Sequence, residues 1–427
     1  MNIGIVSTWF ERGAAYVSRA YSETLSGKHN VFVYARGGET YGINDPNWDF
    51  SNVTWEKKDE RIPLSTFINW NDFKIWLDNN LIEMIIFNEQ QSWDIILKLH
   101  DKNYLIGTYI DFYTKQTIPF FELYDFLLCN TRRHFSIFNK HPQCYFIPWG
   151  TDTEICKPQK KFDPKENIVF FHSAGMGGIN FRKGTDILVK AFQKIKGNVK
   201  LIIHSQVDIN YYYSIYDLIQ KDPRIEFIIG TYPLPGLYHK GNVYVYPTKL
   251  EGIGLSIPEA MSCGLPVITT DCAPMNEFVF HDQNGLLIEV SEYIKRNDNY
   301  FWPENICSEE SLIKAMQFYV DNPTIISEHS ANARKFAVEN LSWKNNSKDL
   351  PQLVNQVNEK RSSCEKLLWQ VKEYEKKAQV DVLIKNSKKN LTRGRKRQAL
   401  NQIINAILVD YKSVISKLIN HHKHNWF

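Results

Sequence analysis

Cysteine is sparse in this 427-residue chain, and the seven present (129, 144, 156, 263, 272, 307 and 364) form no C-x-x-C pair. An odd, scattered set excludes a disulfide framework and fits reduced thiols of the cytosol. Long apolar runs are also missing. None approaches the ~18 residues needed to span a bilayer. The first residues, MNIGIVSTWFERG, enter a strand at once and carry no signal-peptide pattern. Of the twelve histidines, only the terminal HHKH (421–424) has metal-ligand spacing, and a solvated tract is the simpler reading. The expected location is the cytoplasm, with the inner face of a membrane as the alternative.

The formal charge of +4 conceals an asymmetry. Residues 351–427 hold 16 Lys and Arg against 6 Asp and Glu, a net +10, which leaves −6 for the rest of the chain. A near-neutral body with a basic tail points to an acidic partner for the tail.

Short β-branched and aromatic runs alternate with helical stretches. NIGIVS (2–7), HNVFVYAR, MIIFNE (84–89), LIGTYID (105–111), FLLCNT (126–131) and CYFIPWG (144–150) read as strands, while 37–80 reads as irregular. A Pro-rich, charged stretch at 148–167 is the best linker. A second alternation follows, with strands at 168–173, 200–205, 225–230, 243–247, PVITT and 285–290. Helices are expected at 184–196, near 211–221, and from about 309 to 347. Alternation of this kind specifies parallel sheets. Two successive units give two domains, 1–150 and 151–350, followed by a basic helical tail at 351–427.

The densest chemistry lies in KLEGIGLSIPEAMSCGLPVITTD (249–271). A strand is followed by a loop with Gly252 and Gly254, and a short helix is expected from 256–258, with Ser256 as its cap, to Gly264. In open α/β sheets, ligands bind at the carboxyl ends of strands, where helix N-termini offer N–H groups to anions. Glu251 in the loop and Glu259 in the first helical turn would meet one ligand there. Two glutamates at this spacing, with nothing else, read more readily as helix-dipole partners than as a site.

The whole string resembles the signature of retaining glycosyltransferases of the GT-B fold, the family 4 type (glycosyltransferase group 1). That pattern is Glu, seven residues, Glu, with a Gly-Leu step between and a Gly-x-Pro-Val strand after. The resemblance covers about the first 350 residues and is specific from 147 to 290. It implies two Rossmann-like parallel-sheet domains facing a cleft, with a C-terminal helical extension. The sugar nucleotide would bind the second domain and the acceptor the first.

By the same resemblance, SAGMGGINFRKGTDILVKAF (173–192) is a phosphate loop in which Lys183 grips the donor diphosphate. A fixed cation there would stabilise charge growing on the leaving group. Many members carry an earlier Arg; here that stretch is Gly175, Gly177 and Gly178, so Arg182 is the substitute, unless it points to solvent. Glu259 would accept from the ribose hydroxyls, as an ionised carboxylate can. Glu251 would position the donor sugar, and amides near Gly254, Leu255 and Ser256 would cap the distal phosphate. In the first domain, Gly13 matches a Gly-rich loop, although the usual glycine pair is Gly13-Ala14 here. Asp111 falls where a catalytic-cleft His or Asp is common; capping a turn explains it equally well. NTRRH (130–134) would place Arg132 at the cleft, and an exposed arginine explains it equally well. Glu277 and Asn284-Gly285 match the family string near the end of the donor domain, where Asn284-Gly285 also reads simply as a turn.

No D-x-D occurs, so a metal-independent enzyme without cofactor is implied, transferring a hexose with retention. The expected context is surface glycan or lipid-linked saccharide synthesis. A hydrolase would also use two carboxylates, but the ribose role of Glu259 argues against it. A sugar-nucleotide epimerase and an inactive sugar-nucleotide-binding scaffold are the remaining alternatives.

The tail holds TRGRKR (392–397) and then apolar residues at 403, 404, 407, 408, 411, 414, 415, 418 and 419, a helical stripe. Two readings stand. The helix packs on the body or on a second copy, or it lies on an anionic membrane with Trp426-Phe427 at the interface. Nucleic acid ranks third, because no recognisable module is present.

Overall fold

The computed structural model describes residues 1–37, 42–57, 66–176 and 181–424, with side chains to residue 415. Its strands in chain order are β1 (Asn2–Ser7), β2 (Asn30–Ala35), β3 (Val53–Trp55), β4 (Met84–Asn88), β5 (Leu105–Tyr109), β6 (Phe126–Cys129), β7 (Cys144–Phe146), β8 (Ile168–Gly175), β9 (Val199–Ser205), β10 (Ile225–Ile229), β11 (Val243–Tyr246), β12 (Val267–Thr270), β13 (Gly285–Ile288), β14 (Val290–Ile294) and β15 (Glu304–Cys307). The helices are α1 (Gly13–Ser26), α2 (Trp70–Asn79), α3 (Asp94–Leu99), α4 (Arg132–Phe138), α5 (Thr185–Phe192), α6 (Tyr216–Lys221), α7 (Ser256–Ser262), α8 (Glu309–Asp321), α9 (Pro323–Asn340), α10 (Trp343–Asn346), α11 (Leu350–Gln356), α12 (Glu365–Thr392) and α13 (Lys396–His424).

Two parallel sheets organise the chain. The first has the order β3-β2-β1-β4-β5-β6-β7 and the second β10-β9-β8-β11-β12-β13. Both place their first strand centrally, so the order reverses beside β1 and beside β8, which opens a crevice at the carboxyl ends. The central strands are buried along their length, as MIIFN, VYVY and VITT show. That is why they read as continuous apolar runs rather than alternating ones.

The region 37–80 is not wholly irregular. It contains β3 and α2, whose cap Asn69 accepts from the amides of Asn71 and Asp72 while Phe73, Trp76 and Leu77 are buried. The run 285–290 is broken as well. β13 closes the second sheet, and β14 leaves it to pair antiparallel with β15. The expected helix near 211–221 starts as a 3-10 turn at Ile209–Tyr212 and is α-helical only in α6.

The chain then returns to the first domain. Leu350 and Val354 of α11 join the core under β1 with Ile3 and Ile5. Asp125 accepts from the amides of Lys360 and Arg361. Leu367 and Val371 of α12 enter the first core, and Glu375 accepts from Ser92 Oγ and the Trp93 amide. Beyond this, α12 and α13 fold back on each other through Val380, Leu383, Ala406 and Val414. The tail helix therefore packs on its own hairpin partner. Trp426-Phe427 lie outside the described residues. Among those described, no helix is long and apolar enough to cross a membrane.

Candidate active site

The loop from β11 to α7 carries Thr248, Glu251 and Gly254. Gly254 takes φ +84, a left-handed turn that turns the chain into α7. Ser256 is the first residue of that helix rather than its cap; Leu255 holds the cap position and makes no side-chain cap bond. The helix ends before Gly264, at φ +80, as expected.

The loop from β8 to α5 brings Arg182, Lys183 and Gly184 alongside. Gly177 and Gly178 lie outside the described residues. Gly184 has φ +72, and a Cβ there would lie 2.0 Å from the Pro247 carbonyl oxygen. Only glycine lets the two loops approach this closely. The Lys249 amide (2.8 Å) and Thr248 Oγ1 (3.1 Å) both donate to the Arg182 carbonyl, locking them together.

Glu251 sits at the centre, 6 % exposed. Its Oε1 accepts from Lys183 Nζ (2.7 Å), the Tyr246 hydroxyl (2.8 Å) and Thr248 Oγ1 (2.7 Å). Arg182 Nη1 lies 3.4 Å from Oε2 and 2.7 Å from the Leu250 carbonyl. Arg182 therefore faces the cluster, not solvent. Burial would push Glu251 up, but Lys183 and Arg182 outweigh it and hold the carboxyl at about 2. Burial, aided by Arg182, lowers Lys183 to about 8 against the pull of Glu251. Glu259 accepts from the Tyr238 hydroxyl at 2.6 Å, and burial raises it to about 7. Near neutrality, Glu251 is thus fixed as an anion, whereas Glu259 is poised to gain or lose its proton.

The first domain supplies the facing wall. Asp111 Oδ1 would lie 2.5 Å from a Cβ on Gly252, so the two domains touch there. Burial and the neighbouring Glu89 push Asp111 well above the usual carboxylate range, against Arg133 and Arg182. Gly13 opens α1 against Leu255, with 3.4 Å to Leu255 Cδ1 from a Cβ on Gly13. The cleft arginine is Arg133, not Arg132. Arg132 is exposed and lies over the Phe146 ring at 5.3 Å. Arg133 donates to the carbonyls of Ala273 (2.7 Å), Glu251 and Gly252. Glu277 reaches back and accepts from the amides of Arg132 (2.6 Å) and Arg133 (2.9 Å) at the start of α4. Asn284 accepts from the Phe280 amide within its turn.

The structure thus gathers Lys183, Arg182, Glu251, Glu259, Gly254, Leu255 and Ser256 at the strand ends of the second domain, with Asp111 and Gly13 opposite. Sequence reasoning missed Tyr246, Thr248, Tyr238, Glu89, Arg133 and His134. His134 is buried between the Tyr113 hydroxyl (3.0 Å) and the Gly252 carbonyl (3.2 Å). The tyrosines looked like strand filler, and only NTRRH flagged the arginine-histidine run. Among the described residues, no group of three or more His, Cys, Asp or Glu is placed to hold a metal.

Residues 169–296 match the family model for glycosyl transferases group 1. An uncharacterised glycosyltransferase of Methanocaldococcus jannaschii is 28 % identical over 218 residues, 47 % of this chain and 50 % of that protein. An O-antigen chain mannosyltransferase of Escherichia coli is 32 % identical over 120 residues, 26 % of this chain and 31 % of the enzyme. The chain spans about half the length, or less, of the curated relatives it matches. Anabaena HepE, solved with UDP and glucose, superposes with a TM-score of 0.64 at 15 % identity, over 83 % of this chain and 99 % of HepE. The fold is GT-B. The cluster around Glu251 lies within the residues of the second domain that match the group 1 glycosyltransferase model.

Proposed function

We propose that the protein is a retaining glycosyltransferase that moves a hexose from a nucleotide diphosphate sugar to an acceptor hydroxyl, without metal or cofactor. The observation that carries this reading is the buried Lys183-Glu251-Arg182 cluster beside Glu259, at the strand ends of the second domain and facing Asp111. In this reading the donor diphosphate lies against Lys183 and the amides of Gly254, Leu255 and Ser256. As the sugar–phosphate bond breaks, charge on the leaving diphosphate is met by a cation already held in place. Glu259 binds ribose, and Glu251 both anchors Lys183 and faces the donor sugar. Gly13 and Asp111 border the acceptor. A surface glycan or lipid-linked saccharide, handled on the cytoplasmic side, is the acceptor class. The similarity to an O-antigen mannosyltransferase supports that choice, and UDP bound to HepE makes UDP-sugars the first donors to try.

The test is nucleotide diphosphate release from UDP-, GDP- and ADP-sugars in EDTA, comparing the wild type with Glu259→Ala and Lys183→Ala. Release from one donor, lost in both variants, supports transfer. Interconversion of sugars without release would indicate an epimerase. No turnover, with no nucleotide raising the melting temperature, would leave a scaffold.

A further inference from the structure

The α12–α13 hairpin carries an exposed face that the donor and acceptor sites do not use. Its inner side is closed by Val380, Leu383, Ala406 and Val414, with Ser387 Oγ donating to the Ala399 carbonyl at 3.0 Å and Asn390 Nδ2 to Gln402 Oε1 at 2.9 Å. On the outer side of α13, Leu400, Ile404, Ile407 and Leu408 are exposed at 61, 45, 46 and 78 %. Their spacing of four, three and one places them on one helical stripe. The helix is interrupted at Asp410 (φ −160, ψ 95), and Tyr411 and Ile415 beyond the break are again exposed, at 56 and 50 %. Six large apolar side chains on one solvent-facing helix are more than scattered surface residues.

The charge around this stripe is of one sign. Residues 385–417 contain nine Lys and Arg and a single acid, Asp410. Asp410 is already engaged, accepting from the amides of Lys412 and Ser413. Lys385, Lys388, Lys389, Arg393, Arg395, Lys396 and Arg397 are all exposed at the turn end of the hairpin. A helix with an apolar stripe beside a run of cations matches one kind of surface, where anionic headgroups lie over acyl chains. A second copy would bring two basic clusters together, which repel. Nucleic acid would satisfy the cations but leave the leucines and isoleucines unused.

We propose that the exposed face of α13, residues 396–415, is a docking surface for an anionic lipid bilayer, on which it lies in the interfacial plane. The hairpin is rooted in the first domain through Leu367, Val371 and Glu375, so docking would hold that domain at the bilayer. The proposal stands independently of the reaction assigned to the cleft.

The full chain is floated with vesicles of phosphatidylcholine alone or with phosphatidylglycerol, and its hydrogen exchange is followed on both. Binding is expected only with phosphatidylglycerol, with new protection confined to the cationic turn and the apolar face of α13, residues 385–415. Leu408→Glu should lower partitioning about tenfold. The triple change Arg393→Gln, Arg395→Gln, Arg397→Gln should lower it about a hundredfold and flatten its salt dependence. Neither should move the melting temperature, since all four side chains are exposed. Absence of binding at about 0.15 M ionic strength overturns the proposal. So does protection elsewhere on the chain, a dimer in solution that Leu408→Glu dissociates, or binding to duplex DNA or RNA that the arginine variant alone abolishes.

Discussion

Lys183 Nζ stands 2.7 Å from Glu251 Oε1 and 2.5 Å from the hydroxyl of Tyr246, which itself donates to the same carboxylate oxygen at 2.8 Å. A cation and an anion are thus sealed together before any ligand arrives. Lys183 and Arg182 hold Glu251 as an anion, and Glu251 opposes the loss of the Lys183 proton that burial favours. Such a pair contributes little net stability over apolar residues, yet leaving one member alone is costly.

This separates folding from function in one experiment. Glu251→Ala should cost about 3–5 kcal/mol, because Lys183 and Arg182 lose their buried counter-charge. The double change Lys183→Met, Glu251→Leu should recover most of that stability. Donor turnover should nevertheless stay about 10²–10³-fold below wild type, because the cation that the proposed reaction sets against the leaving diphosphate is gone. Urea unfolding and nucleotide diphosphate release, measured on the same samples, check both halves.

Glu259 gives a pH signature of opposite sign to Glu251. Its carboxyl is raised from 4.5 to about 7 in the folded protein. The native state therefore binds the proton more tightly than the unfolded chain. The stability this provides is full below about 4.5 and is lost as pH rises through about 7. Melting temperature should fall over that window in the wild type relative to Glu259→Gln. For Glu251, lowered to about 2, the contribution is present above 4.5 and disappears as pH falls towards 2. With Glu259 at the ribose as proposed, nucleotide affinity should rise towards pH 7 more steeply in the wild type than in Glu259→Gln, because hydroxyls donate to the ionised form. Calorimetric titration at about pH 5.5 and pH 7, below the range in which Lys183 (about 8) loses its proton, distinguishes the two.

Much of this was legible in the residues. The buried parallel strands announce themselves as apolar runs, and the Glu251–Glu259 string fixes a loop, a helix start and two carboxylates. Local pattern could not show what lies across the cleft. Arg133 was hidden behind its neighbour Arg132, because one position in a short helix turns a side chain by about 100°. Asp111 and Gly252 are far apart in sequence, and their approach depends on the angle between domains. Nor did composition reveal α2 or β3, where tryptophan and asparagine obscure the period that Phe73, Trp76 and Leu77 obey.

Arg133 ties the domains at three carbonyls, those of Glu251, Gly252 and Ala273. A planar fork can satisfy such a set; an ammonium cannot do so in the same geometry. Arg133→Lys should therefore fail to rescue Arg133→Ala. Both should lose about 2 kcal/mol or more and show a greater spread of interdomain distances in solution scattering. Glu277→Gln keeps an acceptor for the same helix and should be milder than Glu277→Ala. Equal behaviour of Arg133→Lys and wild type would show that the fork is not what joins the domains.

Gly184 and Gly394 form a natural control. Both sit at φ +72, but a Cβ at Gly184 meets the Pro247 carbonyl at 2.0 Å, whereas at Gly394 nothing lies within 4 Å. Alanine at Gly394 reports the left-handed strain alone, about 1–2 kcal/mol, and should leave turnover intact. Alanine at Gly184 adds a collision with backbone. The β8–α5 loop must then move away from Pro247, carrying Arg182 and Lys183 away from Glu251. Its cost should exceed that of Gly394→Ala by a further ~1–3 kcal/mol, and donor turnover should fall with it. If the two variants lose equal stability and both keep full turnover, the close approach of these loops is not what positions Lys183.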